Sequence, residues 1–317
     1  MKCTYCDVDV DNLTKLSNEK FDEFYSNIPR EQFIFDIFGG EPFLQINEVQ
    51  HIVNTLSDDK LCTRINITTN GTLTVDKAIG EIVSNPKVNT TVSFDGLSQR
   101  INRGKQKLYL NDLIEVGVIK AHTMLIGSQF EDTGNYLIDN HIYIEEAGLI
   151  PNMTLVRDVG TWTDVQSQNF LRQFKEYIQF MIPKINNDEP VPGLIQTYLN
   201  AILEFKIKGN AKTDCRCGTD YNAILPTGDM VPCERFARDQ ETFDKFKDND
   251  LRSFIMNECN TCEIRDVCHK GCIYEQLKNN APISELCAIY KGIVVELKVL
   301  LQSTNHKLLK QFTKENL

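Results

Sequence analysis

Eight of the eleven cysteines lie in one stretch near the C-terminus, and this clustering constrains the fold more than any other feature. The sequence opens with a polar, acidic segment where a secretion signal would need an apolar run. Thiols stay reduced in the cytosol, so we predict a cytoplasmic protein whose cysteines bind metal. The eight are enough for two four-cysteine sites: Cys215, Cys217, Cys233, Cys259, Cys262, Cys268, Cys272 and Cys287.

The tightest part of this cluster is a CX2CX5CX3C pattern, formed by Cys259, Cys262, Cys268 and Cys272. Four thiolates can hold either a tetrahedral zinc ion or an iron–sulfur cluster, and a CX2C pair is common in both kinds of site. The spacing of these cysteines by itself leaves both interpretations open.

Composition excludes some other classes of function. A chain of 317 residues that is 41% hydrophobic can bury a real core. The net charge of −10, without a basic run, argues against a nucleic-acid partner. The most apolar stretch, 290–301, is short and carries Lys291, Glu296 and Lys298, so we expect a packed helix and no membrane contact.

Strand-like and helix-like segments alternate through the first two thirds of the chain. Helical spacing of apolar residues indicates helices at 45–56, 76–83, 135–147 and 164–182. Apolar runs that end in turn signals indicate strands at 32–40, 64–69, 88–94, 118–126 and 152–156. This alternation predicts an α/β fold with a parallel sheet and right-handed crossovers.

Three of the predicted strands end in polar, glycine-containing motifs. They are Gly39-Gly40-Glu41-Pro42, Thr69-Asn70-Gly71-Thr72 and Ser93-Phe94-Asp95-Gly96. Each motif by itself is also typical of an ordinary turn. Ligands of open α/β sheets bind at the carboxyl ends of the strands, so three such endings together indicate one shared ligand site.

The N-terminus adds a CX2C motif, Cys3-Thr4-Tyr5-Cys6, which is weak evidence when taken alone. Followed by the GGEP, TTNGT and SFDG motifs in this order, it resembles the second half of the CxxxCxxC motif of radical S-adenosylmethionine (SAM) enzymes. The resemblance implies a partial (β/α)6 TIM-like barrel that lacks its first strand. It also implies a [4Fe–4S] cluster held by Cys3 and Cys6, with SAM bound to its open iron.

The resemblance further implies which residues contact SAM: Gly39, Gly40, Glu41, Pro42, Asn70, Ser93 and Asp95. The glycines would let the backbone approach the methionine amino group closely. Glu41 would help to hold that edge, and the polar side chains would bind the ribose and the carboxylate. For Asp95, a plain strand-ending turn remains the alternative.

The chain departs from the family pattern at one point, because the first cysteine of CxxxCxxC would lie upstream of Met1. The first barrel strand is missing with it, so we expect a truncated start rather than the loss of one ligand. The chain as written should then cleave SAM weakly or not at all, and upstream residues should restore cleavage. Cys62, at the start of a strand, is expected to be a buried core cysteine rather than a replacement ligand.

The C-terminal cysteine pattern, taken together with Gly228, resembles the SPASM domain that holds auxiliary clusters behind radical SAM cores. Next to the N-terminal motifs, this favours two auxiliary iron–sulfur clusters over zinc. The resemblance implies an outer set of ligands, Cys259, Cys262, Cys268 and Cys287. It also implies an inner set, Cys217, Cys233 and Cys272, with Cys215 as a further candidate ligand. Whether Cys215 or Cys217 is the inner ligand stays open. A hairpin is predicted at 222–232, with its turn at Thr227-Gly228-Asp229.

Glu234 directly follows Cys233, and it is the candidate catalytic residue. In similar enzymes an acidic residue here can face the substrate and take its proton. A solvent-exposed charge is the alternative. The histidines of the chain show no metal-ligand spacing.

The sequence therefore predicts a radical SAM core at 1–212, a SPASM domain at 213–290 and a C-terminal helix at 291–317. The expected activity is oxidative modification or crosslinking of a ribosomal peptide, with an electron donor such as flavodoxin or ferredoxin. A protein side-chain oxidase of the sulfatase-maturing kind is the alternative enzyme. If the missing cysteine is genuine, the alternative is a non-catalytic iron–sulfur or zinc protein.

Overall fold

The computed structural model describes residues 3–4, 15–156, 162–209, 215, 217–218, 220–247, 257–268, 271–280 and 284–316. The chain divides into two compact units. The first comprises described residues within Met1–Thr123, His141–Asn152 and Ala223–Val231, and the second comprises those within Met124–Asn140, Met153–Asn222 and Pro232–Leu317.

Five strands form one sheet in the order β1-β2-β3-β4-β5. The first three neighbouring pairs are parallel. For the fourth, Ile150 N donates to Ile119 O and Val156 N to Leu125 O, so β5 also runs parallel to β4. The prediction of a parallel α/β sheet is confirmed, and the strands are β1 Phe33–Ile37, β2 Cys62–Thr69, β3 Val88–Ser93, β4 Lys120–Leu125 and β5 Ile150–Leu155.

Helices connect these strands, as crossovers between parallel strands require. Short 3-10 helices follow three of the strands, at Pro42–Gln45, Gly96–Ser98 and Gly127–Phe130. The α-helices of this part are α1 Asn18–Asn27, α2 Ile46–Asp58, α3 Lys77–Val83, α4 Gln99–Arg103, α5 Leu110–Glu115 and α6 Tyr136–Glu146.

The core of the first unit lies between the sheet and its helices. Alternate residues of β2, Ile65 and Ile67, are fully buried and pack with Val53 and Leu56 of α2. Each such side chain contributes roughly 1.5–3 kcal/mol by leaving water. Cys62 is the first residue of β2 and is 1% exposed, in agreement with its predicted role as a core cysteine at the opposite strand end from the site.

The other face of the same strands carries polar side chains. Asp36, Asn66 and Asn89 are register partners on β1, β2 and β3. Asn89 Nδ2 donates to Asn66 Oδ1 at 3.1 Å, and Asn66 Nδ2 donates to Asp36 Oδ1 at 2.6 Å. The sheet is therefore apolar toward the helices and hydrophilic on its opposite face.

Three long helices build the second unit, namely α7 Asp164–Asn186, α8 Gly193–Lys208 and α12 Ser284–Asn316. Their apolar faces share one core with an aromatic group that includes Phe130, Trp162 and Phe170. Where α12 packs on α7, Gly292 lies directly against the Leu171 side chain. The close helix approach depends on the missing side chain at this glycine.

Several helices differ from the predictions, and α7 and α8 are two of them. Helix α7 begins at the predicted residue, capped by Thr163, but continues to Asn186 through Pro183 instead of ending at 182. Proline in the final turn removes one hydrogen bond, and the helix ends where the Asn187 N–H donates to the carbonyls of Pro183, Lys184 and Ile185. Helix α8 was not predicted, because it follows two prolines and its apolar residues lie on most of its circumference.

The cysteine-rich region contains short elements. The predicted hairpin is confirmed as antiparallel β6 Ala223–Ile224 and β7 Met230–Val231, with Gly228 at φ 91° in its turn. A 3-10 helix at Glu234–Arg238 follows, then α9 Gln240–Lys247, α10 Asn257–Asn260 and α11 Ile273–Asn279. Phe236, Phe246 and Tyr274 form a small core with the buried cysteines.

None of the helices in the described ranges is long and apolar enough to cross a membrane.

Candidate active site

Glu41 connects the loop after β1 to the end of β2. Its carboxylate accepts from Thr69 Oγ1 at 2.7 Å, from Asn70 N at 2.6 Å and from Phe43 N at 3.3 Å. The residue is 8% exposed. Burial raises the pKa of the Glu41 carboxyl, and the three hydrogen bonds oppose this shift. Glu41 thus fixes the backbone at Asn70, which is also a predicted SAM contact.

The Asn70 side chain is oriented by Thr72, whose N and Oγ1 donate to Asn70 Oδ1 at 2.9 and 2.6 Å. Among the described residues, no hydrogen-bond partner of Asn70 Nδ2 is found. This amide can therefore donate to a bound ligand. Asn70 follows Thr69, which pairs in register with Val92, so Asn70 and Ser93 leave neighbouring strands at the same sheet edge.

The glycine pair that precedes Glu41 is exposed. Gly39 has a φ of 144°, a conformation that side chains of L-residues rarely adopt, and a Cβ there would meet nothing within 4 Å. Its backbone conformation, rather than lack of space, therefore favours glycine. Pro42 is buried and begins the 3-10 helix that carries Phe43.

Asp95 lies at the end of β3 and is completely buried. Its carboxylate binds Arg103 through two contacts, Nε to Oδ2 at 2.9 Å and Nη2 to Oδ1 at 3.2 Å. Asn102 Nδ2 also donates to Oδ2, at 3.2 Å. Arg103 and Asn102 lie outside the Ser93–Gly96 motif, so the sequence did not single them out as partners of Asp95.

The start of the described chain contacts this ion pair. Arg103 Nη1 donates to Cys3 Sγ at 3.8 Å, and Thr4 N donates to Asn102 O at 2.8 Å. The structure thus brings Cys3 to the carboxyl end of β3, beside Asp95. Cys6 lies outside the described residues.

His122 is a further residue at this edge that the sequence analysis did not select. It pairs in register with Ser93, which is buried. Burial lowers the pKa of the imidazole, and the nearby Arg103 guanidinium lowers it further, while Asp95 opposes the shift. We expect His122 to be neutral at pH 7 because of this environment.

The inner set of cysteines is brought together in the second unit. The Cys217 thiol hydrogen-bonds with both Cys215 and Cys233, which raises the pKa of Cys217 and lowers that of Cys233. Cys272 interacts electrostatically with Cys215 and Cys233, and burial raises its pKa to about 11. Both Cys215 and Cys217 therefore lie at this set, so the choice between them stays open.

The outer set surrounds a separate, mainly apolar cavity. Its wall includes Ile264, Leu286 and Tyr290 in addition to the cysteines Cys259, Cys262, Cys268, Cys272 and Cys287. Burial raises the pKa of Cys287, and the thiols of Cys259 and Cys262 raise it further. Cys272 also reaches this cavity, so it lies between the two sets.

The two cysteine sets supply the thiolate ligands that iron–sulfur clusters take, and zinc takes the same ligands. Within the described ranges, no three acidic, histidine or cysteine side chains are arranged to hold one ion. None of the described cysteines forms a disulfide. The thiols of the outer set line one cavity, so a group bound there would contact several of them.

Glu234 begins the 3-10 helix after Cys233 and is exposed. The Tyr221 hydroxyl donates to Glu234 Oε2 at 3.2 Å. The candidate base is therefore accessible, and a hydrogen bond from a residue next to the hairpin orients it.

The chain shares its fold with solved structures that include those of anSMEcpe and Streptococcus suis SuiB. The structure of anSMEcpe with bound AdoMet and the Cp18Cys peptide has a TM-score of 0.68 and 18% identity, over 96% of this chain and 95% of that chain. Streptococcus suis SuiB bound to S-adenosylmethionine has a TM-score of 0.55 and 19% identity, over 89% of this chain and 70% of SuiB.

SuiB bound to its precursor peptide SuiA is also similar, with a TM-score of 0.54 and 18% identity over 89% of this chain. No protein-family model matches the chain, and no curated protein matches it in sequence. At these identities the likeness establishes the fold.

Proposed function

We propose that this chain is a radical SAM enzyme that modifies a peptide, with a SPASM-type region that holds two auxiliary [4Fe–4S] clusters. The observation that carries this proposal is the structural similarity to an enzyme with bound AdoMet, which extends over 96% of the chain. The cysteine sets and the motifs at the strand ends support it. The proposed parts are a partial barrel at 1–212, the cluster region at 213–290 and a helix at 291–317.

SAM is proposed to bind at the carboxyl edge of β1, β2 and β3. Gly39, Gly40 and Pro42 shape the backbone there. Glu41 holds the backbone of Asn70, whose side-chain amide has no partner among the described residues and can donate to the ligand. Ser93, Asp95 and Cys3 lie at the neighbouring strand end. Bound SAM and its cluster supply a 5′-deoxyadenosyl radical that removes a hydrogen atom from the substrate.

The proposed role of Glu234 is to accept a proton from the substrate as it is oxidised. The carboxylate is accessible, follows a proposed cluster ligand and is oriented by the Tyr221 hydroxyl. Clusters held by the two cysteine sets would supply an electron acceptor for this oxidation, and cleavage of SAM would need an electron donor such as flavodoxin or ferredoxin.

A peptide substrate is proposed because SuiB has been solved with its precursor peptide. A side-chain oxidase of the sulfatase-maturing kind is the second candidate, because anSMEcpe is a sulfatase-maturing enzyme and its structure has the higher TM-score of the two proteins. Both candidates use the same SAM site and the same cysteine sets.

The metal content of the anaerobically prepared chain tests the proposal. Two filled auxiliary sites predict about eight irons and eight sulfides per chain, and a filled SAM-binding cluster predicts about twelve irons. Cys268→Ser should remove about four irons through the outer set, and Cys233→Ser about four through the inner set.

Cys62→Ser is the matched control, because this thiol lies in the core of the first unit and should leave the iron content unchanged. Zinc without sulfide in the wild-type chain would refute the proposal. Formation of 5′-deoxyadenosine from SAM under reducing conditions then separates an enzyme from a protein that binds clusters without catalysis.

A further inference from the structure

The segment after Asp95 is basic, although the chain as a whole is acidic. Residues 96–111 contain four basic residues and no acidic one, in a chain with a net charge of −10. Arg103 is buried against Asp95. The other three are exposed, namely Arg100, Lys105 and Lys107. Within the described ranges no acidic side chain pairs with any of these three, so their charges are accessible to a partner.

Two exposed apolar residues lie in the same segment. Leu97 is 47% exposed and Ile101 is 73% exposed. They follow one another by about one helical turn, through the 3-10 helix and α4, and this spacing brings their side chains close together. We call these two residues and the three exposed cations the basic patch. Apolar residues surrounded by charges are typical of interaction sites.

Two hydrogen bonds anchor the basic patch to the proposed SAM site. Arg103, in α4, donates from Nη1 to Cys3 Sγ at 3.8 Å. Tyr109 N, two residues after Lys107, donates to Gly71 O at 2.9 Å. The patch therefore lies next to Cys3, a proposed ligand of the SAM-binding cluster. An electron that enters the protein at this surface has a short path to that ligand.

We propose that the basic patch is the docking surface for an acidic one-electron donor of the flavodoxin or ferredoxin type. This inference rests on the proposed function, because reductive cleavage of SAM is the step that needs such a donor. Complementary charges steer the encounter of two proteins, and electron-transfer complexes have small interfaces, so a compact patch suffices. The acidic remainder of the surface repels an acidic donor and thereby favours this one orientation.

Binding of oxidised flavodoxin to the anaerobically prepared chain tests the proposal without SAM cleavage. Biolayer interferometry at low and high ionic strength measures the Kd. We expect salt to weaken binding to the wild type, because exposed charges are screened. The variant K105E/K107E should bind at least about tenfold more weakly at low salt and should lose most of the salt dependence.

The matched control is K60E/K77E, which changes the net charge equally at two exposed lysines outside the patch. It should bind flavodoxin with nearly the wild-type Kd. A second variant tests the apolar part of the patch. Ile101→Ser should weaken binding by about tenfold at both salt concentrations, because it removes apolar area without altering the charge.

Electron delivery provides a second readout. In stopped-flow mixing, reduced flavodoxin should reduce the iron-loaded variant K105E/K107E about tenfold more slowly than the wild type. Reduced methyl viologen, a small cation that needs no docking surface, should reduce the variant at least as fast as the wild type.

An unchanged Kd in K105E/K107E would overturn the inference, and so would equal weakening in K60E/K77E, which would indicate an effect of overall charge. Tighter binding of a single-stranded oligonucleotide than of flavodoxin, lost in K105E/K107E, would assign the patch to nucleic acid instead and also overturn it. A wild-type chain without iron and sulfide would refute the proposed function, and the flavodoxin Kd is measured separately from that content. The two failures are therefore distinguishable.

Discussion

Asp95 shows how a residue chosen from its motif acquires a different role in the fold. The sequence predicted either a ligand contact or a strand-ending turn. In the structure both carboxylate oxygens bind Arg103, which lies in the short helix α4. The motif gave no indication of this ion pair, because its second member lies outside the motif.

Replacing Asp95 by asparagine should strongly destabilise the first unit. Asp95→Asn leaves the Arg103 guanidinium, whose side chain is 7% exposed, without its counter-charge. Loss of one partner of a buried pair costs about 3–5 kcal/mol. Chemical denaturation followed by circular dichroism measures the change in the free energy of unfolding.

An exposed pair provides the control for this substitution. Lys77 and Glu81 are 3.6 Å apart on α3, with side chains 91% and 59% exposed. Glu81→Gln should change the free energy of unfolding by less than about 1 kcal/mol, because water screens the pair. If Asp95→Asn and Glu81→Gln lowered the free energy of unfolding equally, burial of the Asp95–Arg103 pair would not determine its contribution to stability.

Among the elements, the strands follow the sequence closely and the helices less so. The strands β1, β3 and β4 lie within predicted segments, whereas β2 and β5 begin two residues before the predicted start. Apolar runs that end in glycine or asparagine identify buried strands well. Helix α1 was not predicted because its residues are mostly polar, and a Ser17 cap and burial of Phe21 stabilise it.

The contact between α12 and α7 predicts the effect of a substitution at a helix–helix crossing. A Cβ at Gly292 would lie 2.2 Å from Leu171 Cδ2 and 3.0 Å from Leu171 Cγ. Gly292→Ala gains roughly 1 kcal/mol of helix propensity but must displace this side chain, at about 1–3 kcal/mol. We expect a lower melting temperature of the second unit.

The double variant Gly292→Ala with Leu171→Ala should remove the steric part of this cost. Gly80→Ala is the matched control in α3, where the new Cβ would meet Val116 Cγ1 at an ordinary 3.7 Å. That change should raise stability by up to about 1 kcal/mol. If Gly292→Ala were as stabilising as Gly80→Ala, the helices would not be in close contact.

At the scale of the whole molecule, the cysteine sets link short elements that have little other core. A ligand that binds the folded state raises its stability by mass action. Removal of iron with a chelator under oxidising conditions should therefore lower hydrogen-exchange protection in α9 and α11. Protection of β2 and β3 should remain, because an apolar core supports them.

Cys62→Ala provides a control for this effect, since it alters the sheet core but no proposed cluster ligand. Its protein should lose protection in β2, with an unchanged response of α9 and α11 to the chelator. Equal loss of protection throughout the chain after iron removal would argue against local stabilisation by clusters.

The parallel α/β sheet, the hairpin and the grouping of the cysteines could be predicted from the amino-acid sequence. These features follow from local patterns, namely apolar runs, turn residues and cysteine spacing. The tertiary structure decided the partners of the predicted residues: Arg103 for Asp95, Thr69 for Glu41 and Tyr221 for Glu234. It also placed Arg235 against Glu275, far apart in sequence. Such pairs depend on how the chain folds back on itself, and no local pattern encodes that geometry.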